Sequence, residues 1–442
     1  MPHSASPLRS GSLRSVRAFV MAVAMHQMGS AALAATCAYI ANENDGTITV
    51  IDTATNTVTD TLSVGGSPTA VAATADGARV YVTNTLPDAV AVLNASTGMP
   101  TDNIPLPQCA AALCGPQSLA IATDGRAYVP SPIDDGSHVL SVVDTATNAV
   151  TESITLQSGA AQRGGGVGVT VDGHRACVSG YLLKPAGAHT DAVLYSDVVD
   201  TTTKGVTSRT TNLGPITTVD DFLAVARTAA AVTPGDVCYI ADGFSGNVAV
   251  VELAGNTLMT EIPLPHSDPT GLAISADGRL AYVSGGTGAG APTTLDEGQI
   301  FVIDTMTNSL SATIRNRGRF FNGVALSPDD TFAITTDRDG HRAFVINTSD
   351  NRPTASIPVG SGPSGVAVAP VAGGCPTRAP CAGDCNRDGV VTVDEMIRMV
   401  NIALRSTPAS DCPVGDLNHD GKITVDEILG AAHIALRGCP AP

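Results

Sequence analysis

Between residues 37 and about 370 the chain repeats one order of short alternating runs and turn signals seven times. One run reads AYIAN at 38–42, VYVTN at 80–84, AYVPS at 127–131, ACVSG at 176–180, CYIAD at 238–242, AYVSG at 281–285 and FAITT at 332–336. Another reads VIDTATN at 50–56, VVDTATN at 142–148 and VIDTMTN at 302–308, with looser copies between. A third strand follows each of these. A fourth ends each unit: PTAVAA at 68–73, PQSLAI at 116–121, GGVGVT at 165–170, a poorer copy near 222–226, PTGLAI at 269–274, NGVALS at 322–327 and PSGVAV at 363–368. Asp-Gly pairs such as Asp76-Gly77 and Asp277-Gly278 follow that strand and mark tight hairpins. Four strands recurring at about 40 to 50 residues predict an all-β seven-bladed β-propeller. A lone four-stranded sheet leaves two faces to bury, and radial stacking buries both. The first copy begins at the second strand of a blade and the last ends on an innermost strand, so the two ends are expected to share one blade.

The motif Tyr81-Val82-Thr83-Asn84 and the recurrent Val-Ile-Asp-Thr-Ala-Thr-Asn resemble the YVTN family of seven-bladed propellers, found in exported and cell-surface prokaryotic proteins. The likeness covers residues 37 to about 370. The copy at 176–237 departs most, with insertions around Leu182 to Ser196 and Thr207 to Asp221.

Other features bound where such a chain works. Residues 1–35 read as a secretion signal: Arg9, Arg14 and Arg17, an apolar stretch from Ala18, then Ala32-Leu33-Ala34 as a small-x-small cleavage site. No other stretch is apolar enough to span a membrane. The ten cysteines form no paired C-x-x-C motif, so in an exported chain most are expected in disulfides, among them Cys109 with Cys114. A net charge of −17 opposes binding to nucleic acid. The localisation expected is secreted, periplasmic or cell-surface, as a monomer.

Residues 371–383 form a Gly/Pro-rich linker, and the pattern then changes to helical spacing at Met396 to Leu404 and Ile428 to Leu436. Two twelve-residue loops precede those helices. In the first, Asp384, Asn386 and Asp388 fill positions one, three and five, Val390 offers its carbonyl at seven, Thr392 acts at nine and Glu395 closes the site at twelve. In the second the same places hold Asp416, Asn418, Asp420, Lys422, Thr424 and Glu427. Calcium takes six to eight hard oxygen ligands, and a Gly at position six allows the sharp turn, here Gly389 and Gly421. Two Ca²⁺ ions are therefore expected, in a small all-α loop-helix pair. The loop-then-helix duplication at 384–439 resembles a dockerin module, which implies docking to a cohesin-like partner. It departs from that pattern in having Glu rather than Asp at position twelve, and Val-Asp at positions ten and eleven.

Propeller ligands usually sit at the channel mouth, beside the loops entering the innermost strands. Most residues there are Gly, Ser and Pro. The exceptions are Arg163, Asp220, Asp221, His266, Asp268, Arg319 and Asn322. Such a cluster could bind a metal or polarise a carbonyl, or simply be solvated loop charge. No Gly-x-Ser-x-Gly elbow, P-loop or His-Glu-x-x-His motif is present. The reading placed first is a non-enzymatic binding or scaffold protein with a glycan or small-molecule ligand at the propeller. The alternative is an exported hydrolase, lactonase-like or acting in polysaccharide catabolism, carried by a dockerin.

Overall fold

The computed structural model describes residues 35–437, apart from 108–114, 133–136, 159–160, 164, 187–188, 216–227, 266, 288–297, 317, 319, 378–380, 386–390, 405–406, 409–410 and 417–419. The secretion signal read at 1–35, Ala35 apart, and the Cys109–Cys114 pairing lie outside these residues.

Seven antiparallel sheets follow one another along the chain. We number them as blades 1 to 7. Their innermost strands are Pro363–Val371, Pro68–Ala73, Ala120–Ile121, Val167–Val169, Thr228–Val232, Ser267–Ile274 and Phe321–Leu326. Each lies beside the innermost strands of both neighbouring blades, so the ring is closed. Blade 1 takes its inner strand from the far end of the propeller: Ala35–Asn42 pairs antiparallel with Pro363–Val371, Ala35 opposite Val371 and Asn42 opposite Pro363. The expectation that both ends share one blade is met. A disulfide between Cys37 and Cys375 reinforces the seam.

Two inner-strand details differ from the sequence reading. Blade 5 builds its inner strand from Thr228–Val232, not from 222–226. Its backbone packs closely on blade 4, where a Cβ on Gly166 would lie 2.3 Å from Ala230 N. In blade 7 the register puts Phe332 opposite Asn347, as Cys37 is opposite Asp52 in blade 1. Ile334, rather than Ala333, therefore occupies the place of Tyr39.

That place carries the most regular contact of the outer ring. Tyr39, Tyr81, Tyr128 and Tyr239 are buried and donate their hydroxyls to a turn of the next blade. Tyr39 reaches Ala95 O at 2.8 Å, Tyr81 reaches Asn148 Oδ1 at 2.7 Å and Thr145 O at 3.1 Å, Tyr128 reaches Gly173 O at 3.0 Å, and Tyr239 reaches Asn308 Oδ1 and Thr305 O. The accepting turns explain the Asp-Thr-x-Thr-Asn motif. Asp144 Oδ1 accepts from Ala146 N at 2.7 Å and Thr147 N at 3.1 Å, an Asx turn. Asn148 closes it at φ 52°, a left-handed conformation that Asn tolerates better than most residues. Blade 4 has Cys177 in the tyrosine place, and there a disulfide to Cys238 joins blades 4 and 5. Among the described residues no cysteine is free.

The tail forms two helices, α1 (Val393–Ala403) and α2 (Val425–Arg437). Met399, Ile402 and Ala431 bury their side chains between them with Val391 and Ile423 from the loops, clasped by a Cys385–Cys412 disulfide. Each helix starts at a capping box side chain: Glu395 Oε2 accepts from Thr392 N at 2.8 Å, and Glu427 Oε2 from Thr424 N at 2.8 Å.

The tyrosine contacts lead to a paired prediction. Tyr81→Phe should cost about 1–2 kcal/mol, because it removes the hydrogen bonds that the Tyr81 hydroxyl donates to the half-buried Asn148 oxygen and to Thr145 O. Tyr282→Phe should change stability by less than about 0.5 kcal/mol, since the Tyr282 hydroxyl is buried without a hydrogen-bond partner among the described residues. Urea midpoints of the two variants, measured side by side, check this; equal losses would refute the latch reading.

Candidate functional site

Antiparallel strands deliver alternate connections to opposite faces of the ring. On one face, inner strands turn into second strands and third strands into fourth. These connections are short in every blade, as at 53–56, 74–78, 122–125 and 253–256. They are stereotyped as well. Thr74 Oγ1 donates to Asp76 Oδ1 at 2.5 Å, and Thr170 with Asp172, Ser275 with Asp277 and Ser327 with Asp329 repeat the contact. These hydroxyls hold Asp76, Asp172 and Asp329 below the ordinary carboxylate value, and the Arg279 N–H, followed by the Ser275 hydroxyl, does so for Asp277. Gly77 follows at φ 64°; Asp330 takes that conformation in blade 7 at φ 56°. At the other face lie the strand ends that bound the long connections: Pro105 and Ala120, Pro215 and Thr228, Thr287 and Gly298. That face also receives the elongated hairpin of blade 4, Arg175–Ala186 with His189–Asp200. Uniform turns serve the scaffold, and variable loops are where binding surfaces are built.

The channel opens between these faces. Its cavity of about 210 Å³ is lined by all seven blades. The wall follows a rule visible in the repeats: a hydroxyl or amide residue, then a small one, then an aliphatic one, as in Thr69-Ala70-Val71, Thr270-Gly271-Leu272, Asn322-Gly323-Val324 and Ser364-Gly365-Val366. The small residues are forced by close approach. A Cβ on Gly271 would lie 2.4 Å from Asn322 O, and one on Gly323 2.4 Å from Ser364 O. The hydroxyls are spent on the neighbouring blade. Thr69 Oγ1 donates to Pro116 O at 2.8 Å, Thr270 Oγ1 to Phe321 O at 2.8 Å, and Ser364 Oγ to Thr69 O at 3.0 Å.

The residues picked from sequence fare unequally. Asp220, Asp221, His266 and Arg319 lie outside the described residues. Arg163 ends a short strand, Ala161–Arg163, paired with the blade 4 hairpin beside Tyr181; its side chain also lies outside. Asn322 is buried in the channel wall, and its carbonyl accepts from Thr270 Oγ1 at 3.0 Å and Ser284 Oγ at 2.7 Å. Asp268 sits near the start of the blade 6 inner strand opposite Gly286, half-buried, and burial raises its carboxyl from 3.8 to about 6. Two residues of the mouth escaped the sequence reading. Glu43 lines the cavity and pairs with Arg338 of blade 7 at 2.5 Å. Both sit in loops joining second to third strands, which reach the same face as the inner-strand loops compared by sequence.

In the tail, Asn386, Asp388, Val390 and Asn418 lie outside the described residues, and among the described residues no group of three or more His, Cys, Asp or Glu is placed to hold a metal. The remaining donors have the chemistry of a calcium site. Asp384, Glu395 and Glu427 are buried carboxyls. Asp416 accepts from Asp420 N at 3.0 Å and Gly421 N at 2.8 Å, folding its loop around the carboxylate, with Gly421 at φ 80°. Glu395 and Glu427 accept from Thr392 and Thr424, and all three buried carboxyls are hard oxygen donors that could hold a cation.

Asp268 yields a pH-dependent prediction. Its folded value lies above the unfolded one, so the charged form is disfavoured in the fold. The resulting cost is complete above about pH 6 and absent below pH 3.8. Asp268→Asn should therefore stabilise the protein at pH 8, by about 1–2 kcal/mol after allowance for partial solvent screening, and not at pH 4. Thermal melts at the two pH values check the difference.

No family model matches the chain, and no curated protein matches it in sequence. Solved structures do match in fold. Hydrazine synthase from Kuenenia stuttgartiensis superposes with a TM-score of 0.54 at 20% identity, covering 70% of this chain and 92% of that one. A functionally unknown protein from Desulfotomaculum acetoxidans also superposes with a TM-score of 0.54, at 13% identity, covering 76% of this chain and 99% of that one. At these identities the likeness is one of propeller fold alone.

Proposed function

We propose that the protein is an extracytoplasmic, non-enzymatic binding protein: a YVTN-type propeller that presents its loop face to a ligand, tethered by a dockerin-like calcium module. The observation that carries this reading is the division between faces. The strand ends that bound the long connections and the tip of the blade 4 hairpin lie on one side, while the other keeps short turns. The disulfides support an oxidising compartment. No helix among the described residues is long and apolar enough to cross a membrane.

The ligand class supported is small and polar, a glycan segment or a comparable molecule. The cavity is of about 210 Å³ and its wall is hydroxyl-rich. A hydrolytic propeller is the second reading, favoured only by the raised carboxyl of Asp268 at the mouth.

In the tail, Asp384, Asn386, Asp388, Thr392, Glu395 and the Val390 carbonyl would hold one Ca²⁺. Asp416, Asn418, Asp420, Thr424, Glu427 and the Lys422 carbonyl would hold the second. The helices support docking to a protein partner of the cohesin kind. Val393, Ile397, Val400 and Leu404 line the outer side of α1 at helical spacing, and Val425, Leu429 and Leu436 repeat that stripe on α2; all seven are exposed.

Calcium titration of the intact chain by calorimetry tests the tail. Two ions per chain are expected, with Glu395→Ala and Glu427→Ala each removing one. Calcium at about a thousandfold excess over its dissociation constant should stabilise the tail by about 4 kcal/mol and leave the propeller transition in place. No heat of binding, or a propeller transition that moves with calcium, would sink this assignment.

A further inference from the structure

Tyr195 is a departure from the repeat, whereas the place of His138 holds a histidine once more, His341 of blade 7. Where blade 4 has Tyr195, the equivalent strand positions hold Thr47, Ala89, Val139, Asn247, Gln299 and Arg342. Tyr195 stands opposite Gly180 in the elongated hairpin, and a Cβ on Gly180 would lie 2.7 Å from the Tyr195 ring and hydroxyl. The glycine thus makes room for this tyrosine. His138 comes from blade 3, on Ser137–Asp144, and meets it across the junction: Nδ1 lies 2.5 Å from the Tyr195 hydroxyl, with the rings edge to face at 5.6 Å. Both side chains are fully buried. His138 Nε2 is also buried, without a hydrogen-bond partner among the described residues.

We propose that the His138–Tyr195 pair is an acid-sensitive latch, whose protonation frees the elongated hairpin of blade 4 from blade 3. Neutral imidazole satisfies the junction with one hydrogen bond in either tautomer. Imidazolium carries two donors and a full charge, and one of those donors has nowhere to go. The other groups facing the pair offer little compensation. Tyr128, on the same face of blade 3, already donates to Gly173 O. Asp197, on the same face of the hairpin, is buried and adds to the burial that keeps Tyr195 far above 10, so Tyr195 stays neutral. Leu182 and Val193 pack against Tyr195 and supply apolar contact only. The side chains of Arg163, Lys184, His189 and Asp191 lie outside the described residues.

Burial lowers the imidazole from 6.5 to about 4. The folded value is below the unfolded one, so the unfolded or opened junction binds the proton more readily. Stability from this group is complete above pH 6.5 and is lost as pH falls toward 4. The hairpin stands on the loop face, so any effect on ligand binding rests on that face being the binding face; the latch itself does not.

The test uses the intact protein and needs no ligand. Peptide-resolved hydrogen exchange across 175–200, corrected for intrinsic rates, should show protection falling about tenfold per pH unit between pH 6 and 4.5. His138→Gln, which keeps a hydrogen-bonding group and cannot charge, should hold its protection across that range. Parallel loss in wild type and variant would overturn the proposal. Should the variant not fold, the histidine Cε1–H resonances of the wild type decide. One buried histidine staying neutral to about pH 4 supports the latch, and titration of every histidine between pH 5.5 and 7 rejects it.

Discussion

The close approach of neighbouring inner strands governs this structure. Seven strands meet around one channel, and at each junction backbone comes within reach of backbone. Gly271, Gly323 and Gly365 sit where a Cβ would lie 2.4 to 2.6 Å from a carbonyl oxygen of the next blade. The hydroxyl one residue earlier then satisfies carbonyls that this crowding shields from water, as Thr270 and Ser364 do. Farther out the blades diverge, and larger groups fill the widening wedge. Tyr39, Tyr81, Tyr128 and Tyr239 occupy that radius and bond the next blade's turn. With few aromatic residues and no Trp, the chain spends most of its tyrosine on this one position.

A ring built from identical junctions has no tolerance for an open one. Blade 1 therefore borrows its inner strand from the other end of the propeller, and the seam gains a disulfide between Cys37 and Cys375. Chain-entropy arguments favour cross-links that close long loops, and this one spans 338 residues. The junctions lacking a tyrosine contact show the same economy. Cys177 replaces Tyr and is bonded covalently to Cys238 in the next blade. At the junction of blades 7 and 1, Ile334 takes the place, and an apolar cluster with Ala38, Ile40 and Ile51 does the packing.

The fold was legible because it is repetitive. Seven noisy copies of one turn and one strand average out the ambiguity of each, so the blade count and the shared blade could be read from order alone. Where a copy was degraded, the reading slipped. The blade 5 inner strand, Thr-Ala-Ala-Ala-Val, has little strand character of its own and is selected by its neighbours' backbones. Phe222 to Ala226 looked more strand-like because apolar content was the only signal to weigh. The candidate site was legible in location rather than in detail. Arg163, Asp268 and Asn322 do stand at or near the starts of inner strands, yet Asn322 is committed to the wall. Glu43 and Arg338 were missed because a loop between second and third strands belongs to the same face only once the ring is drawn.

The same geometry separates what this protein must conserve from what it is free to vary. Several turns on the short-turn face are engaged by the neighbouring blade, through Tyr hydroxyls or arginines such as Arg126, which reaches Gly173 O at 3.1 Å. Lengthening one of those turns would move an acceptor out of reach of its donor and open a junction. On the other face the described connections share contacts such as Glu43 with Arg338, and an insertion in a long connection there costs loop-closure entropy, which grows slowly with length. Insertions at 106–119, 216–227 and 288–297 could therefore accumulate without strain on the ring. The blade 4 hairpin is the exception that leans back on the scaffold, through His138. Its polar contact with blade 3 depends on Tyr195, a residue that the repeat does not supply, which is why it can respond to conditions that leave the seven inner junctions untouched.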